Sequence, residues 1–215
     1  MSEIRIEKKF VYQEGDESYK YFLINSMIKK IYLKRTINSV YFDTDEFKSV
    51  WDNINGFGDR LKIRLRWYNN LDHSDVFLEE KIKKNFTTIK KVVKLGNFKN
   101  YPNLENFLTK KLKANNLFLK KKINLKKILY VSYDREYFIH DSKKLRFTLD
   151  KNIKVFLNYA KKPINIDKNI LEIKYDPKYS TFCNKFLIEN KLKNRNQKFS
   201  KYVNSFLELN ESGLI

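Results

Sequence analysis

The sequence predicts an α+β fold: a closed antiparallel β-barrel of about eight strands with flanking helices. Blocks of period-2 alternation recur from the N-terminus to about residue 175, turn-forming segments separate them, and helical periodicity falls only between or after them. With neither internal repeat nor linker, the 215 residues read as one domain over 1–215. Hydrophobic residues make up 42% and aromatics 15%, enough to build a core despite a charged fraction of 33%.

In the first strand, Ile4 and Ile6 alternate with Arg5, Glu7 and Lys9. Asp16 caps a helix whose apolar stripe is Tyr19, Phe22, Leu23, Met27 and Ile31. Residues 36–42 form a strand, and Phe47, Val50, Trp51 and Ile54 mark a short helix. Over residues 60–68, Leu61, Ile63, Leu65 and Trp67 share one face, while Arg60, Lys62, Arg64 and Arg66 share the other. The loop 69–74 makes a hairpin with residues 76–83, where Leu78 and Ile82 lie opposite Glu79, Lys81 and Lys83, and residues 87–95 follow through a turn at Asn85. Asn103 caps a helix carrying Leu104, Phe107, Leu108 and Leu112.

Alternation returns in residues 129–140, with Tyr133, Arg135 and Tyr137 on one face, and in residues 145–150, where Arg146, Thr148 and Asp150 oppose Leu145, Phe147 and Leu149. Residues 153–159 and 170–175 complete the strands, the last with Glu172 and Lys174 opposite Leu171 and Ile173. Helices over 181–191 and 198–207 close the chain, the second with Phe199, Val203 and Phe206 as its buried stripe.

A single Cys183 rules out an internal disulfide and a cysteine zinc site, and on its helix it reads as a buried, inert thiol. His73 and His140 stand in loops or strand ends and read as surface residues. No apolar run approaches the length that crosses a bilayer, and residues 1–10 lack the apolar stretch of a signal peptide. The reading is a cytoplasmic protein with no membrane segment of its own, docking through membrane partner subunits being left open.

Lys and Arg number 45 against 25 Asp and Glu, a formal +20 that attracts phosphate polymers, nucleic acid or anionic lipid. Much of the Lys follows the drift of an AT-rich genome, and the runs 120–122 and 126–127 read as a solvated face. Arg is scarcer, and Arg5, Arg60, Arg64, Arg66, Arg135 and Arg146 all fall on strand-like segments. On an ordinary sheet the polar face is the solvent face. Yet Arg60, Lys62, Arg64 and Arg66 are four like charges at i, i+2 spacing, which repel unless an anion lies among them, and the guanidinium fork matches phosphate oxygens. The sparse acids on these faces, Glu7, Glu79 and Glu172, suit a divalent cation. In a barrel the charged faces would converge on a basic tunnel wide enough for one phosphate chain. There is no RNP motif, no recognition-helix pattern and little stacking surface, so no specific nucleic acid is expected.

These blocks resemble the triphosphate tunnel metalloenzymes (the CYTH-like superfamily), and within them the VTC-type polyphosphate polymerase domain. Residues 5–10, Arg-Ile-Glu-Lys-Lys-Phe, are similar to the first-strand Glu-x-Glu-x-Lys signature, with Arg5 in place of its first Glu as in VTC-type members. Residues 39–44 resemble the second strand, 64–68 the Arg-x-Arg-Trp-Tyr motif and 78–81 the Leu-Glu-x-Lys motif. Residues 133–137 resemble Tyr-x-Arg, 146–150 Arg-x-Thr-x-Asp, 171–174 the second Leu-Glu-x-Lys, and 198–202 the closing Lys-Phe-Ser-Lys-Tyr.

The resemblance implies that Lys9, Arg64, Arg66, Lys81, Arg135, Lys198 and Lys201 carry the catalysis. It implies that Arg5, Lys62, Lys83, Lys91, Tyr133, Arg146 and Lys174 bind phosphate, Tyr133 serving equally well as packing. Glu172, helped by Glu7 or Glu79, would hold Mn²⁺ or Mg²⁺. The implied partners are ATP and inorganic polyphosphate, and the implied reaction is transfer of the γ-phosphate onto a growing chain. An inorganic or nucleoside triphosphatase, and a non-catalytic polyphosphate- or nucleic-acid-binding module, are the alternatives.

Overall fold

The computed structural model describes residues 5–25, 27–84, 87–99, 106–107, 110, 124–157, 162–192 and 197–215. In chain order the elements are β1 (Ile6–Gln13), α1 (Ser18–Asn25), β2 (Ile28–Asp43), α2 (Lys48–Ile54), β3 (Arg60–Tyr68), β4 (Asp75–Lys84), β5 (Thr87–Asn97), β6 (Lys126–His140), β7 (Leu145–Phe156), β8 (Ile164–Ile166), β9 (Lys168–Tyr175), α3 (Ser180–Glu189) and α4 (Lys201–Glu211). The strands form one antiparallel sheet in the order β1-β9-β7-β6-β2-β3-β4-β5, with β8 on β7.

Among the described residues, hydrogen bonding does not close this sheet: β1 and β5 are its two ends, so the expected closed barrel is not what the backbone pairing forms. Part of β1 is occupied by the segment leading to α4. The Gln197 N–H donates to the Lys9 carbonyl at 2.8 Å, and Lys9 Nζ donates to the Phe199 carbonyl at 2.8 Å.

The chain forms two compact units, the first comprising residues 1–36, 132–154 and 165–201, the second 37–131, 155–164 and 202–215. In the first, the inward residues of β1, β7 and β9 (Phe10, Tyr12, Leu145, Phe147, Leu149, Leu171 and Ile173) meet Tyr19 and Phe22 of α1 and Cys183 and Phe186 of α3. In the second, Val40, Phe42, Ile63, Leu65, Trp67, Val76 and Leu78 from β2, β3 and β4 pack with Leu95, Phe98 and Phe107. Strand alternation therefore sorts most side chains as the sequence indicates, apolar to the core and charged to the opposite face, with Glu80 and Lys91 falling on the face of Ile63.

Several boundaries differ from expectation. α1 stops at Asn25 and β2 begins at Ile28, so Met27 and Ile31 lie on no helix stripe and both are exposed. The i, i+4 spacing of two apolar residues suits either state, and the β-branched, aromatic run from residue 28 goes to strand beside β6. β7 runs unbroken from Leu145 to Phe156 where two strands were expected, the left-handed Asn152, φ 51°, being accommodated within it. α4 begins at Lys201, leaving Lys198 in the preceding segment. His140 is buried, its ring edge-on to Phe182 and Phe186, at 5.4 and 4.8 Å between centroids, with Nδ1 bonded to Ser142; a strand end that turns inward onto α3 overrides the polarity of imidazole. Cys183 is buried as expected. The helix expected from Asn103 lies mostly outside the described residues, although 106, 107 and 110 are helical, and Lys120, Lys121 and Lys122 lie outside them entirely.

Candidate functional site: a cationic sheet face in each unit

In the second unit, antiparallel register sets the charged side chains in rows across β2, β3, β4 and β5. Tyr41, Arg64 and Glu79 form one row, Lys62, Lys81 and Lys90 the next, and Arg60, Lys83 and Thr88 a third. Glu79 is the carboxylate among these bases. It accepts from Arg64 Nε at 2.8 Å and Nη2 at 2.6 Å on one oxygen and from Lys90 Nζ at 2.8 Å on the other, with Arg66 Nη1 at 3.7 Å. Burial alone would raise its pKa, but the charges of Arg64, Arg66 and Lys90 outweigh it and lower the value to about 2. Lys90 is shifted down, by burial first and then by Arg64 and Arg66, against the pull of Glu79.

A relay of contacts fixes Arg64 from behind. Its Nη1 donates to the Tyr41 hydroxyl at 3.1 Å, and Tyr41 stacks on Tyr202 at 4.8 Å and 18°. The buried Tyr202 hydroxyl donates to Asp43 Oδ2 at 2.8 Å, while Asp43 Oδ1 accepts the N–H groups of Thr44 and Ser49, each at 2.9 Å, at the start of α2. Burial and then the Asp43 carboxylate push the Tyr202 hydroxyl far above the ordinary phenol range, so it stays a donor.

In the first unit, β1, β9 and β7 present the rows Glu7–Lys174–Arg146 and Lys9–Glu172–Thr148. Arg135 of β6 grips Asp150 of β7 bidentately, Nε to Oδ1 at 2.5 Å and Nη2 to Oδ2 at 2.7 Å, and Lys201 adds a bond to Oδ2 at 2.5 Å. Tyr133 lies under both bases, its ring centroid 4.5 Å from Lys201 Nζ and 5.3 Å from the Arg135 guanidinium. Glu172 lies 3.4 Å from Lys174 Nζ and 3.8 Å from Arg135 Nη2. Burial acts to raise its pKa, yet Lys174, Lys9, Arg135 and Lys201 together hold it well below the usual carboxylate range.

The structure thus gathers Lys62, Arg64, Arg66, Lys81, Lys83 and Glu79 on one face, and Glu7, Lys9, Tyr133, Arg135, Arg146, Glu172, Lys174 and Lys201 on the other unit's face. It sets Lys91 apart. Lys91 pairs with Glu80 and so shares a face with Ile63, and the neighbouring Lys90 takes the position expected for it. Arg5 precedes β1 and Lys198 precedes α4, both exposed. Asp150, Lys90, Tyr41 and Asp43 were missed. Asp150 was readable, standing two residues from Thr148 on the face of Arg146; Lys90 was not, because only the register of β5 on β4 sets which of two adjacent lysines faces the arginines.

Among the described residues no group of three or more His, Cys, Asp or Glu could hold a metal by itself. Glu7 and Glu172 stand in adjacent rows of one face, whereas Glu79 belongs to the other unit. Such a sparse donor set fits a cation that draws most of its oxygen ligands from substrate phosphates, as Mg²⁺ commonly does, and not a cage built by the protein.

The chain belongs to the VTC domain family, matching its pattern over residues 5–210. No curated protein is close enough in sequence to match. Solved structures share the fold: a candidate adenylate cyclase from Bacillus halodurans (TM-score 0.57, 14% identity, covering 93% of this chain and 96% of that one) and one from Vibrio parahaemolyticus (0.54, 12%, 95% and 99%). A protein from Pyrococcus horikoshii OT3 is similar as well (0.51, 16%, 94% and 99%). At these identities the likeness is one of fold. No helix among the described residues is long and apolar enough to cross a membrane.

Proposed function

We propose that the chain is an enzyme of the triphosphate tunnel type that transfers the γ-phosphate of ATP onto the end of an inorganic polyphosphate chain. One observation carries this reading: on the second unit's sheet face, Lys62, Arg64, Arg66, Lys81 and Lys90 surround a single carboxylate, Glu79. That excess of positive charge suits a phosphate chain, and membership of the VTC domain family supports the same substrate class.

In the reaction, a terminal oxygen of the polyphosphate attacks the γ-phosphorus, the bond to the β–γ bridging oxygen breaks, and ADP leaves. The protein supplies no nucleophile. Its guanidinium and ammonium groups hold the phosphates in line and neutralise the charge that spreads over the transferring group. On the second unit's face Arg64 is held ready for phosphate by Glu79 and Tyr41, and on the first unit's face Lys201 is fixed by Asp150 and Tyr133. Glu172, with Glu7 beside it, would share Mn²⁺ or Mg²⁺ with the substrate, the ion withdrawing charge from the phosphate oxygens.

Incubation with ATP and Mn²⁺, followed by gel separation, tests the proposal. Long-chain polyphosphate is the expected product. Free phosphate alone would indicate a triphosphatase with water as acceptor, and tight polyphosphate binding without turnover would indicate a binding module.

A further inference from the structure

β2 is 16 residues long, yet β3 accompanies it only from Ile37 to Phe42. Along residues 28–36 its flank is β6, tied by the Asp141 N–H to the Met27 carbonyl at 2.9 Å and by the ion pairs Lys30–Glu136 at 2.7 Å and Lys34–Asp134 at 3.2 Å. No strand among the described residues lies along the other edge of this stretch. An open edge is a template for another strand, and proteins blunt it with proline, bulges or outward lysines. Residues 28–36 contain neither Pro nor Gly, and their lysines reach back to acids of the β6 hairpin, Lys29 to Asp141 at 3.0 Å among them. The sheet's ends are treated differently: the segment from Gln197 covers part of β1, and β5 carries Lys90, Lys91 and Lys94.

The same stretch and the helix before it expose large apolar side chains. Leu33 is 86% exposed and Ile24 77%, and Tyr21, Met27, Tyr32 and Ile31 join them within thirteen consecutive residues. On a chain of net charge +20, acids are gathered here: Lys20, Lys29, Lys30 and Lys34 are paired with Glu17, Asp141, Glu136 and Asp134, Glu136 being shared with Lys151, and Arg35 lies against the Tyr32 ring. An anionic membrane or an acidic peptide would find little unpaired charge here. A second copy of the chain, repelled elsewhere by its like charge, meets at this edge an apolar surface whose lysines are held by acids of the same chain.

We propose that two copies of this chain dock edge to edge through residues 28–36 of β2, antiparallel about a two-fold axis near Tyr32. Self-pairing puts the same residues on both sides, as a two-fold interface requires. The strand supplies a seam of about 30 Å, and Tyr21, Ile24 and Met27 widen it toward the 800 Å² or so per copy that stable interfaces bury.

Sedimentation of the full chain from about 1 to 100 µM tests this. The expected result is a monomer–dimer equilibrium that strengthens with salt, since screening relieves the +20 repulsion while the seam is held by backbone pairing and apolar side chains. L33E changes an exposed side chain and leaves the fold intact by circular dichroism, and it weakens the dimer at least tenfold; I24E, on the flank, weakens it less. A parent that stays monomeric throughout, an L33E variant that pairs as tightly as the parent, a dimer that salt dissolves, or capture on lipid vesicles with the chain still monomeric would each overturn the proposal.

Discussion

Arg135 holds both oxygens of Asp150, at 2.5 and 2.7 Å, on a carboxylate from which solvent is wholly excluded. Lys201 bonds the same group, so two bases that read in the sequence as phosphate ligands are also the counter-ions of a buried acid. The burial that disfavours the Asp150 charge is outweighed by Arg135 and Lys201, which bring its pKa to about 2. Burial would lower the pKa of Arg135 in turn, and Asp150 holds it well above its ordinary value. The pair keeps the guanidinium charged and fixed in a low-dielectric setting.

Asp150→Asn preserves the shape of this site and removes its charge, leaving the buried Arg135 without its bidentate partner and with Glu172, at 3.8 Å, as a more distant counter-ion. Breaking one side of a buried pair costs about 3–5 kcal/mol, and urea melts of D150N are expected to show a loss of that order. The neighbouring Thr148 hydroxyl is buried without a hydrogen-bond partner, so Thr148→Val is expected to be neutral or stabilising in the same assay.

Acid stability should fall in two stages. The folded pKa of His140 lies below its ordinary value, through burial first and then Lys144, against Asp141, so stability present above about pH 6.5 declines as the unfolded chain takes up a proton that the folded imidazole resists. Glu79 and Asp150, both depressed to about 2, contribute stability that is complete above about pH 5 and is lost as pH falls through 4 toward 2, on the order of 2–3 kcal/mol each. Urea midpoints measured across pH should show the first stage vanish in His140→Phe and the second shrink in Glu79→Gln.

The sequence disclosed most of this architecture because alternation reports directly on which side chain meets the core. Arg64 and Arg66 against Leu65 and Trp67, or Glu172 against Leu171 and Ile173, need no tertiary information. What stayed hidden depends on pairing between distant segments. Nothing local says that Asp150 must neutralise Lys201, 51 residues away, or that Tyr202 must reach Asp43, 159 residues away. Sheet closure, expected from the sequence but not formed by backbone hydrogen bonds among the described residues, was hidden for the same reason: a strand pattern specifies faces, and only the partner of each edge decides whether a sheet ends.

Tyr202→Phe tests the relay behind Arg64. It removes one hydroxyl and leaves the Tyr41 stack, but it deprives the buried Asp43 of a donor, at an expected cost of about 1–3 kcal/mol in thermal or urea unfolding. Because the ring on which Tyr41 stacks is then no longer anchored to Asp43, tripolyphosphate affinity should drop severalfold. An unchanged affinity together with the stability loss would confine Tyr202 to packing.

Lys90 and Lys91 give the sharpest check on which face carries the site, since they differ only in the side of β5 from which they project. Lys90 pairs across from Lys81 and bonds Glu79, placing its charge with Lys62 and Arg64, whereas Lys91 pairs with Glu80 and shares the opposite face with Ile63. Charge-assisted contacts to phosphate contribute about 1.5–3 kcal/mol, so calorimetric titration with tripolyphosphate should show Lys90→Ala weakening affinity by about tenfold or more. Removing Lys90 also leaves Glu79 less neutralised beside the incoming anion, which adds to the loss. Lys91→Ala alters the net charge by the same amount but should change affinity less than about twofold, the scale of an exposed, screened charge. Equal losses in the two variants would mean that overall charge, and not the face defined by Arg64 and Glu79, governs phosphate binding.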